Sequence, residues 1–155
     1  MSDSFLCHDP IDVDTLEGNI RQGEPGAVVS FQGVVRRDRT ARGEVAGLTY
    51  EAFEPLAESE MADILEELRE RWPGADALAR HRLGDVRVGE TGMLLVVTAP
   101  SSSEAFQACH YALDQMKTRI PLWKKDRYAD GSGEWSTQHR ETMLISDSVL
   151  TIPQS

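Results

Sequence analysis

A proline divides the most basic stretch of this chain into two elements of secondary structure. The stretch Gln115–Tyr128 reads QMKTRIPLWKKDRY, with Pro121 near its middle. Because a proline disfavours helical geometry at the residue before it, a helix that contains Lys117 must end near Ile120. The residues after the proline, LWKKDRY, are predicted to form a short strand. Lys117 and Lys124 therefore lie on different elements, and the turn between them allows their ammonium groups to converge on one pocket.

The basic residues are clustered although the chain as a whole is acidic. The formal net charge is −10, which argues against nonspecific binding to nucleic acid or to anionic membranes. Twelve of the sixteen lysines and arginines nevertheless fall within three islands that contain only three acids: Arg36–Arg42, Arg80–Arg87 and Lys117–Arg127. Three exposed loops are the simpler explanation. A site that handles anions is the alternative that this segregation of charge favours.

Length and composition predict one soluble cytoplasmic domain that spans residues 1–155. The chain is 40% hydrophobic, and no apolar run approaches the roughly 18 residues that a membrane span requires. The N-terminal segment MSDSFLCHDPIDVD is acidic and lacks the pattern of a signal peptide. Cys7 and Cys109 are far apart and do not predict a disulfide framework, so we expect a reducing compartment.

Hydrophobic periodicity predicts the order strand-strand-helix-strand-strand-helix-strand-strand. Gly26–Arg37 is β-branched and is predicted to be a buried strand that ends at Arg36, and Ala46–Glu54 is its returning partner. Pro55 opens the first main helix, and Ser101 opens the second with a Ser-x-x-Glu capping pattern. The segments ALARHRLGDVRV and TGMLLVVTA are strands between the helices, and SGEWST follows LWKKDRY. This order predicts an α+β fold with a mainly antiparallel sheet and two main helices.

The two main helices each show an apolar face. The faces consist of Met61, Ile64, Leu65, Leu68 and Trp72 in the first helix, and of Phe106, Cys109, Leu113, Met116 and Ile120 in the second. A weak helical pattern, DVDTLEGNIRQG, precedes the first strand. The tail after Thr142 is apolar enough to pack, at a place that the sequence does not define.

A catalytic interpretation depends on Lys117 and Lys124. A lysine in the last turn of a helix also complements the helix dipole, which by itself accounts for Lys117. Two convergent lysines suit a reaction in which a carboxylate-like group is held and an oxyanion is stabilised. Two neighbouring amines also suit a step in which one of them carries a proton.

The run MKTRIPLWKKDRY, together with GAVVSFQGVVR upstream, resembles the large, catalytic subunit of molybdopterin synthase. RWPG, HRLGDVRVGE and VVTA extend the resemblance over roughly residues 26–135. The pattern K-T-R-x-P-x-W-K-K is its most specific part. The resemblance implies an α/β hammerhead-type fold. It also implies a sulfurtransferase that adds two sulfurs to cyclic pyranopterin monophosphate, forming the dithiolene of molybdopterin.

The resemblance also implies partners. In this family the sulfur arrives as a thiocarboxylate on the C-terminal glycine of a small ubiquitin-like carrier subunit, whose tail enters a pocket of the large subunit. The large subunits form a homodimer, and a carrier at each end completes a heterotetramer. No metal and no cofactor of its own is expected, and neither nucleic acid nor a membrane is an expected partner.

Site residues follow from the same resemblance. Lys117 and Lys124 fall on the family's catalytic lysines; which of them polarises the thiocarboxylate and which assists proton movement stays open. Arg82 matches a family motif in a role that is open to a structural explanation. The expected substrate-binding residues are Val34, Val35, Arg36, Ser101, Ser102, Lys117, Lys124, Lys125 and Asp126.

One position departs from the family pattern. Just before the second helix the family commonly has His-Arg, which binds the phosphate of the substrate, whereas this chain has Ser101 and Ser102. A helix N-terminus with serine hydroxyls still binds anions but lacks a full charge. We therefore expect weaker phosphate affinity unless Arg39, Arg42 or Arg140 compensates. The alternative function is a catalytically weakened relative that binds the sulfur carrier without efficient turnover.

Other candidate residues are interpreted as structural. A strand histidine such as His81 is more often a core or rim residue than a catalytic one, and His110 is interpreted as a packed helix residue. Cys7-His8 and Cys109-His110 lack the ligand spacing of a zinc site. A nucleic-acid-binding module is disfavoured by the net charge and by the lack of interleaved aromatic residues. The predicted core anchors at element ends are Trp72, Trp123 and Trp135.

Overall fold

The computed structural model describes residues 4–135, which form two β-sheets and three α-helices. The strands are β1 (Leu6–Cys7), β2 (Ala27–Val34), β3 (Arg39–Thr40), β4 (Gly43–Ala52), β5 (Asp76–Arg82), β6 (Gly84–Arg87), β7 (Thr91–Ala99), β8 (Leu122–Tyr128) and β9 (Gly133–Trp135). The helices are α1 (Val13–Ile20), α2 (Glu54–Arg71) and α3 (Ser102–Arg119), and a 3-10 turn, Arg21–Gly23, follows α1.

The two sheets divide the strands between them. The first has the order β1-β5-β7-β2, with β1 parallel to β5 and the other pairs antiparallel. The second has the order β3-β4-β8-β9, with β6 also paired to β4 and every pair antiparallel. This arrangement confirms the predicted α+β class with mainly antiparallel sheets and two main helices.

The main core lies between the first sheet and helices α2 and α3. Helix α2 turns Ala57, Met61, Ile64 and Leu68 inward at three- and four-residue spacings, and none of them is more than 1% exposed. Burial of each large apolar side chain contributes about 1.5–3 kcal/mol. A smaller core, formed by Val35, Val45, Leu48, Val86 and Tyr128, lies against the second sheet.

Phe106 does not face the core, so this part of the predicted helix face was wrong. Its side chain is 63% exposed, whereas the buried stripe of α3 consists of Ala105, Ala108, Cys109, Ala112 and Met116. Because each residue of a helix is turned by about 100° from the one before it, the phenylalanine beside a buried alanine points outward. Trp135, predicted as a core anchor, is 43% exposed on β9, the last strand of the second sheet.

Two predicted strands differ from those observed. The strand predicted to be buried as far as Arg36 ends at Val34 and lies only half-buried, because β2 is at an edge of the first sheet. The single strand predicted after α2 is divided at Leu83 into β5 and β6. Gly84 has φ +80°, which residues with side chains rarely adopt, and there the chain passes from the first sheet to the second.

Helix α3 begins and ends where the sequence predicts. The Ser101 hydroxyl accepts from the backbone N–H of Glu104 at 3.3 Å and donates to the Glu104 carboxylate at 3.1 Å. Ile120, just past the helix, is extended at φ −77° and ψ 121°, as is usual before a proline. The carbonyl of Pro121 accepts from the backbone N–H of Phe53 at 3.0 Å, which attaches this turn to the start of α2.

A clamp of ion pairs fastens the C-terminal end of α3 to α2. Arg119 donates to the two carboxylate oxygens of Glu67 at 2.7 and 2.9 Å and to Glu60 at 3.0 Å. Tyr111 donates its hydroxyl to the same Glu67 at 2.7 Å. These hydrogen bonds, chiefly those from Arg119, lower the pKa of Glu67 to about 2. The clamp holds the helix end that carries Lys117.

Some predictions fall on residues that the structure does not describe. The tail after Thr142, the end of the strand SGEWST and Arg140 lie outside residues 4–135. Within that range, none of the helices combines the length and the apolar composition needed to cross a membrane.

Replacing Glu67 with glutamine should weaken the clamp in a pH-dependent way. Because the folded pKa of about 2 lies below the ordinary value of 4.5, the carboxylate stabilises the folded state above about pH 4.5. That contribution is lost as the pH falls toward about 2. We expect Glu67→Gln to lower the free energy of unfolding at neutral pH by about 1 kcal/mol, a modest value because the side chain is 36% exposed.

Urea denaturation between neutral pH and about pH 2 measures this difference, which should shrink as the pH falls. Glu66→Gln is the matched control, since Glu66 is the exposed neighbour on the same helix. If the two variants lose stability with the same pH dependence, the clamp does not act through the Glu67 carboxylate.

Candidate active site

Two adjoining cavities lie beside strand β4. The first, the apolar cavity, has a volume of about 270 Å³ and lies between the C-terminal part of α3, strand β8 and the first sheet. Among the described side chains that line it, only Lys117, Lys124 and His81 can carry a positive charge. Its walls are otherwise mainly apolar, and include Phe5, Phe31, Met93, Leu113 and Met116.

The second, the polar cavity, has a volume of about 650 Å³. Its charged side chains are Arg36, Arg39, Asp38, Asp126, Glu134 and Lys124. Gly33, Tyr50 and Lys124 line both cavities, so these three residues form the junction between them. A molecule in one cavity would therefore meet a molecule in the other beside the Lys124 amine.

Lys117 and Lys124 reach the apolar cavity from different elements. Lys117 lies in the last turn of α3, and Lys124 is half-buried on β8. Within residues 4–135, neither ammonium group has a carboxylate within ion-pair distance. Lys117 is exposed and Lys124 is half-buried, so the apolar walls strengthen the attraction of Lys124 for an anion more than that of Lys117.

The pairing of β4 with β8 decides which side chains face the cavities. Tyr50 stands opposite Lys124 and Leu48 opposite Asp126, and paired residues share one face of a sheet. Lys125 therefore points to the other face, where its amine lies 5.8 Å from the centre of the Trp135 ring. The structure thus brings Asp126 to the site but does not bring Lys125 there.

The substrate-binding residues predicted at the end of β2 point to different sides of the chain. Val34 is 54% exposed and lines the polar cavity, together with Arg36. Val35 points the other way, is 2% exposed, and packs in the smaller core. Its N–H donates to the carbonyl of Glu90 and its carbonyl accepts from Gly89, so Val35 supports the site without lining it.

Ser101 and Ser102 lie at the far end of α3 from the lysines. The rise of a helix places Ser102 roughly 22 Å from Lys117 along the helix axis. The Ser101 hydroxyl is also engaged in capping the helix through Glu104. Within one chain, the structure does not bring these two serines to the cavities.

Two of the three basic islands meet at the polar cavity. Arg36 and Arg39 come from the first island and Lys124 from the third. In the second island, Arg82 is buried, pairs with Glu90 at 3.8 Å and donates to the carbonyl of Asp85, which is a structural role. The first island is exposed, yet its Arg36 and Arg39 line the same cavity as Lys124.

The arginines of the polar cavity have acidic neighbours. Arg36 pairs with Asp38 at 2.6 Å, and Arg39 pairs with Glu44 at 2.9 Å. Arg42, considered above as a substitute for the family's phosphate-binding residues, pairs with Glu134 at 3.3 Å. In the part of the chain that the structure describes, no three His, Cys, Asp or Glu side chains come together as metal ligands.

Sequence reasoning did not identify Tyr50 as a site residue and set His81 aside. The rings of Tyr50 and His81 pack edge to face, with their centroids 4.7 Å apart and their planes at 77°. Nδ1 of His81 lies 2.8 Å from the carbonyl oxygen of Arg82; because a carbonyl only accepts, this nitrogen carries the proton. Burial raises the pKa of Tyr50 to about 12. In the sequence, Tyr50 alternates with Leu48 and Ala52, which is the pattern of an ordinary core residue. Only the strand register, which places Tyr50 opposite Lys124, identifies it as a residue of the site.

The fold and the site together define an α+β protein with two adjoining cavities, one apolar and lined by two lysines, the other lined by arginines and carboxylates. A family model described as MoaE protein matches residues 6–119. The molybdopterin synthase catalytic subunit of Thermoplasma volcanium is 36% identical over 126 residues, which are 80% of this chain and 91% of that protein. The crystal structure of molybdopterin synthase from Staphylococcus aureus has a TM-score of 0.79 at 31% identity, and the match covers 88% of this chain and 98% of that one.

A more distant match has the same fold. It is a chain in a complex of subunits 1 and 2 of the molybdopterin-converting factor from Helicobacter pylori, with a TM-score of 0.75 at 19% identity over 88% of this chain and 92% of that one. The present chain belongs to the MoaE family. Its curated relatives are catalytic subunits of molybdopterin synthase, a sulfur-transferring enzyme of molybdenum cofactor biosynthesis. The family and the enzymatic class expected from the sequence are confirmed, and the comparisons do not favour a weakened relative.

Replacing Lys124 with methionine should raise the pKa of Asp126 further. That pKa already lies above its ordinary value because the carboxyl group is buried, and the positive charge of Lys124 opposes the effect of burial. An NMR titration of the side-chain carboxyl carbon would measure the shift. Lys125→Met is the control, because it removes the neighbouring cation on the opposite face of β8. An Asp126 titration that is the same in Lys124→Met and in the wild type would contradict this electrostatic contact.

Proposed function

We propose that this chain transfers sulfur from a thiocarboxylated carrier protein to cyclic pyranopterin monophosphate, with Lys117 and Lys124 as its catalytic residues. The observation that carries the proposal is that both lysines line one apolar cavity, which opens at Lys124 into a second cavity that contains arginines. Membership of the MoaE family supports this chemistry. The two-subunit Helicobacter pylori complex supports a small-subunit partner.

The apolar cavity suits the carrier's C-terminal tail. Its described walls are mainly apolar and include two lysines but no carboxylate, so it favours an extended, small-residue peptide that ends in an anion. A thiocarboxylate placed there would exchange its hydration shell for ammonium groups already in position. This kind of electrostatic stabilisation requires little reorganisation during the reaction.

The polar cavity suits the pterin substrate. It is the larger of the two, and Arg36 and Arg39 give it two guanidinium groups for a phosphate. Asp38 holds the Arg36 guanidinium at 2.6 Å and keeps it at the cavity before substrate binds. We assign phosphate recognition to these arginines, which lie on the same chain as the lysines.

The positions of the two lysines suggest how they divide the work. Lys117 lines only the apolar cavity, so we assign to it the binding and polarisation of the thiocarboxylate. Lys124 lines both cavities and is half-buried, so we assign to it proton movement and charge stabilisation where sulfur meets the pterin.

We also propose the homodimer within a heterotetramer that the resemblance implies. Ser101 and Ser102 are too far from Lys117 to touch the same small molecule within one chain. We therefore assign them to the site of a second copy, where the N-terminus of α3 would approach the bound anion.

Substitution of either catalytic lysine should abolish most of the sulfur transfer. We expect Lys117→Ala and Lys124→Ala to lower the rate of dithiolene formation at least about 100-fold, the usual effect of removing a group that stabilises developing charge. The assay mixes the protein with thiocarboxylated carrier and cyclic pyranopterin monophosphate and measures dithiolene product.

Lys125→Ala is the matched control for this assay, because Lys125 has the same charge and lies on the opposite face of the same strand. It should retain near-wild-type activity. Absence of product from the wild-type protein with a competent carrier would refute the proposed function. Full activity in Lys117→Ala and Lys124→Ala would instead refute their assignment.

Loss of the Arg36 guanidinium should weaken substrate binding more than turnover. Because an arginine–phosphate hydrogen bond contributes about 1.5–3 kcal/mol, we expect Arg36→Ala to raise KM for the pterin about 10- to 100-fold with a smaller change in kcat. Arg37→Ala is the control, since Arg37 is the next residue and pairs with Glu44 at 3.8 Å. Equal KM values in the two variants would show that the charge acts only through the general field of the protein.

A further inference from the structure

Tyr50 lies at the junction of the two cavities. Its hydroxyl has no part in the contacts described above for the fold or in the roles assigned to the lysines. Tyr50 lines both cavities and stands opposite Lys124 across the β4–β8 pair. Among the contacts within residues 4–135, its hydroxyl makes no hydrogen bond. The phenol of Tyr128, which is buried in the second sheet, differs: its hydroxyl contacts Thr40 at 3.2 Å and Glu134 at 3.0 Å.

The chain holds the Tyr50 ring in one position. A side chain at Gly92 would place its first carbon 3.2 Å from both the hydroxyl oxygen and a ring carbon of Tyr50, so the glycine leaves the space in which the ring lies. The ring also packs edge-on against His81, 4.7 Å between centroids. On the other side of β4 from Lys124, the residue paired with Tyr50 is Gly84, which has no side chain. The hydroxyl is therefore positioned by packing alone.

The protonation state of Tyr50 fits a hydrogen-bond donor. Burial raises its pKa to about 12, so the phenol keeps its proton at neutral pH. A neutral O–H beside an ammonium group provides a second donor without adding charge to the cavity. A thiocarboxylate bound by Lys117 that reaches the junction beside Lys124 would offer the acceptor that the hydroxyl lacks.

We propose that Tyr50 is a further catalytic residue, whose phenol O–H donates a hydrogen bond to the carbonyl oxygen of the carrier's thiocarboxylate at the junction of the two cavities. This inference rests on the proposed function. Once sulfur is bonded to the pterin, its release from the carrier requires water to add to the acyl carbon. The new C–O bond forms and the C–S bond breaks. The electron pair stays on sulfur, which takes one proton of the water while the other is released to solvent.

During that addition the carbonyl oxygen becomes an oxyanion, and hydrogen-bond donors already in place stabilise it most. The ammonium of Lys124 and the hydroxyl of Tyr50 approach the junction from paired positions on two adjacent strands. Together they form the two-donor arrangement that acyl-transfer sites use, here with one charged and one neutral donor.

Tyr50→Phe tests the proposal, because it removes only the hydroxyl and keeps the ring that packs against His81. Thr49→Val is the matched control: it removes the hydroxyl of the preceding residue, which donates to Asp85 and stands opposite Lys125 on the other face of the sheet. We expect the single-turnover rate of sulfur transfer to fall about 100-fold in Tyr50→Phe and to stay near wild type in Thr49→Val. A Tyr50→Phe rate equal to that of an active wild type would overturn the role of Tyr50 and leave the proposed function intact.

A binding measurement separates this proposal from the proposed function. Isothermal titration of the carrier in its carboxylate form should show about tenfold weaker binding to Tyr50→Phe than to the wild type. If the wild type makes no product, the proposed function fails, and this titration still decides the contact. Weaker binding to Tyr50→Phe would then support the hydrogen bond, and equal binding or none to either protein would overturn it.

Discussion

The antiparallel pairing of β4 with β8 is the constraint on which the site depends. Its register places Tyr50 opposite Lys124 and Leu48 opposite Asp126, which sets the face that each side chain occupies. A slip of one residue would move Lys124 away from the cavities and bring Lys125 toward them. Two features oppose such a slip. The smaller core packs at one end of the β4–β8 pair, and at the other end the carbonyl of Pro121 accepts a hydrogen bond from Phe53 at the start of α2.

Lysine and arginine are distributed differently in this chain. The chain contains three lysines among its sixteen basic residues, and all three lie between residues 117 and 125. Within residues 4–135, arginines form nearly all of the ion pairs, as in the bidentate contact of Arg119 with Glu67. A guanidinium stays charged and grips a carboxylate with two donors, whereas the pKa of an amine shifts readily. The chain thus uses arginine for most of the ion pairs that hold the described fold together, whereas two of its three lysines line the apolar cavity.

Much of the fold and the outline of the site followed from local signals. The helix end before Pro121, the cap at Ser101 and the apolar spacing of α2 are decided by residues close together in sequence, and those predictions are confirmed. Phe106 was wrongly predicted to face the core because it is more hydrophobic than the neighbouring alanines, which form the buried stripe of α3. The position of Lys125 and the role proposed for Tyr50 depend on which strands pair and in what register. That information is held in long-range contacts, which one sequence alone does not display.

The rigidity of the elements matches the division of labour proposed for the two cavities. Lys124 and Tyr50 are carried by adjacent strands, and Lys117 by a helix whose end is clamped by Arg119 and stopped by Pro121. The backbone positions that carry these groups are therefore fixed before a substrate arrives, and such preorganisation favours charge stabilisation. Arg36 is exposed and lies between β2 and β3, where its position depends on one carboxylate neighbour. A change at Arg36 would alter substrate binding without moving Lys117, Lys124 or Tyr50, because Arg36 lies outside the helix and strands that carry them.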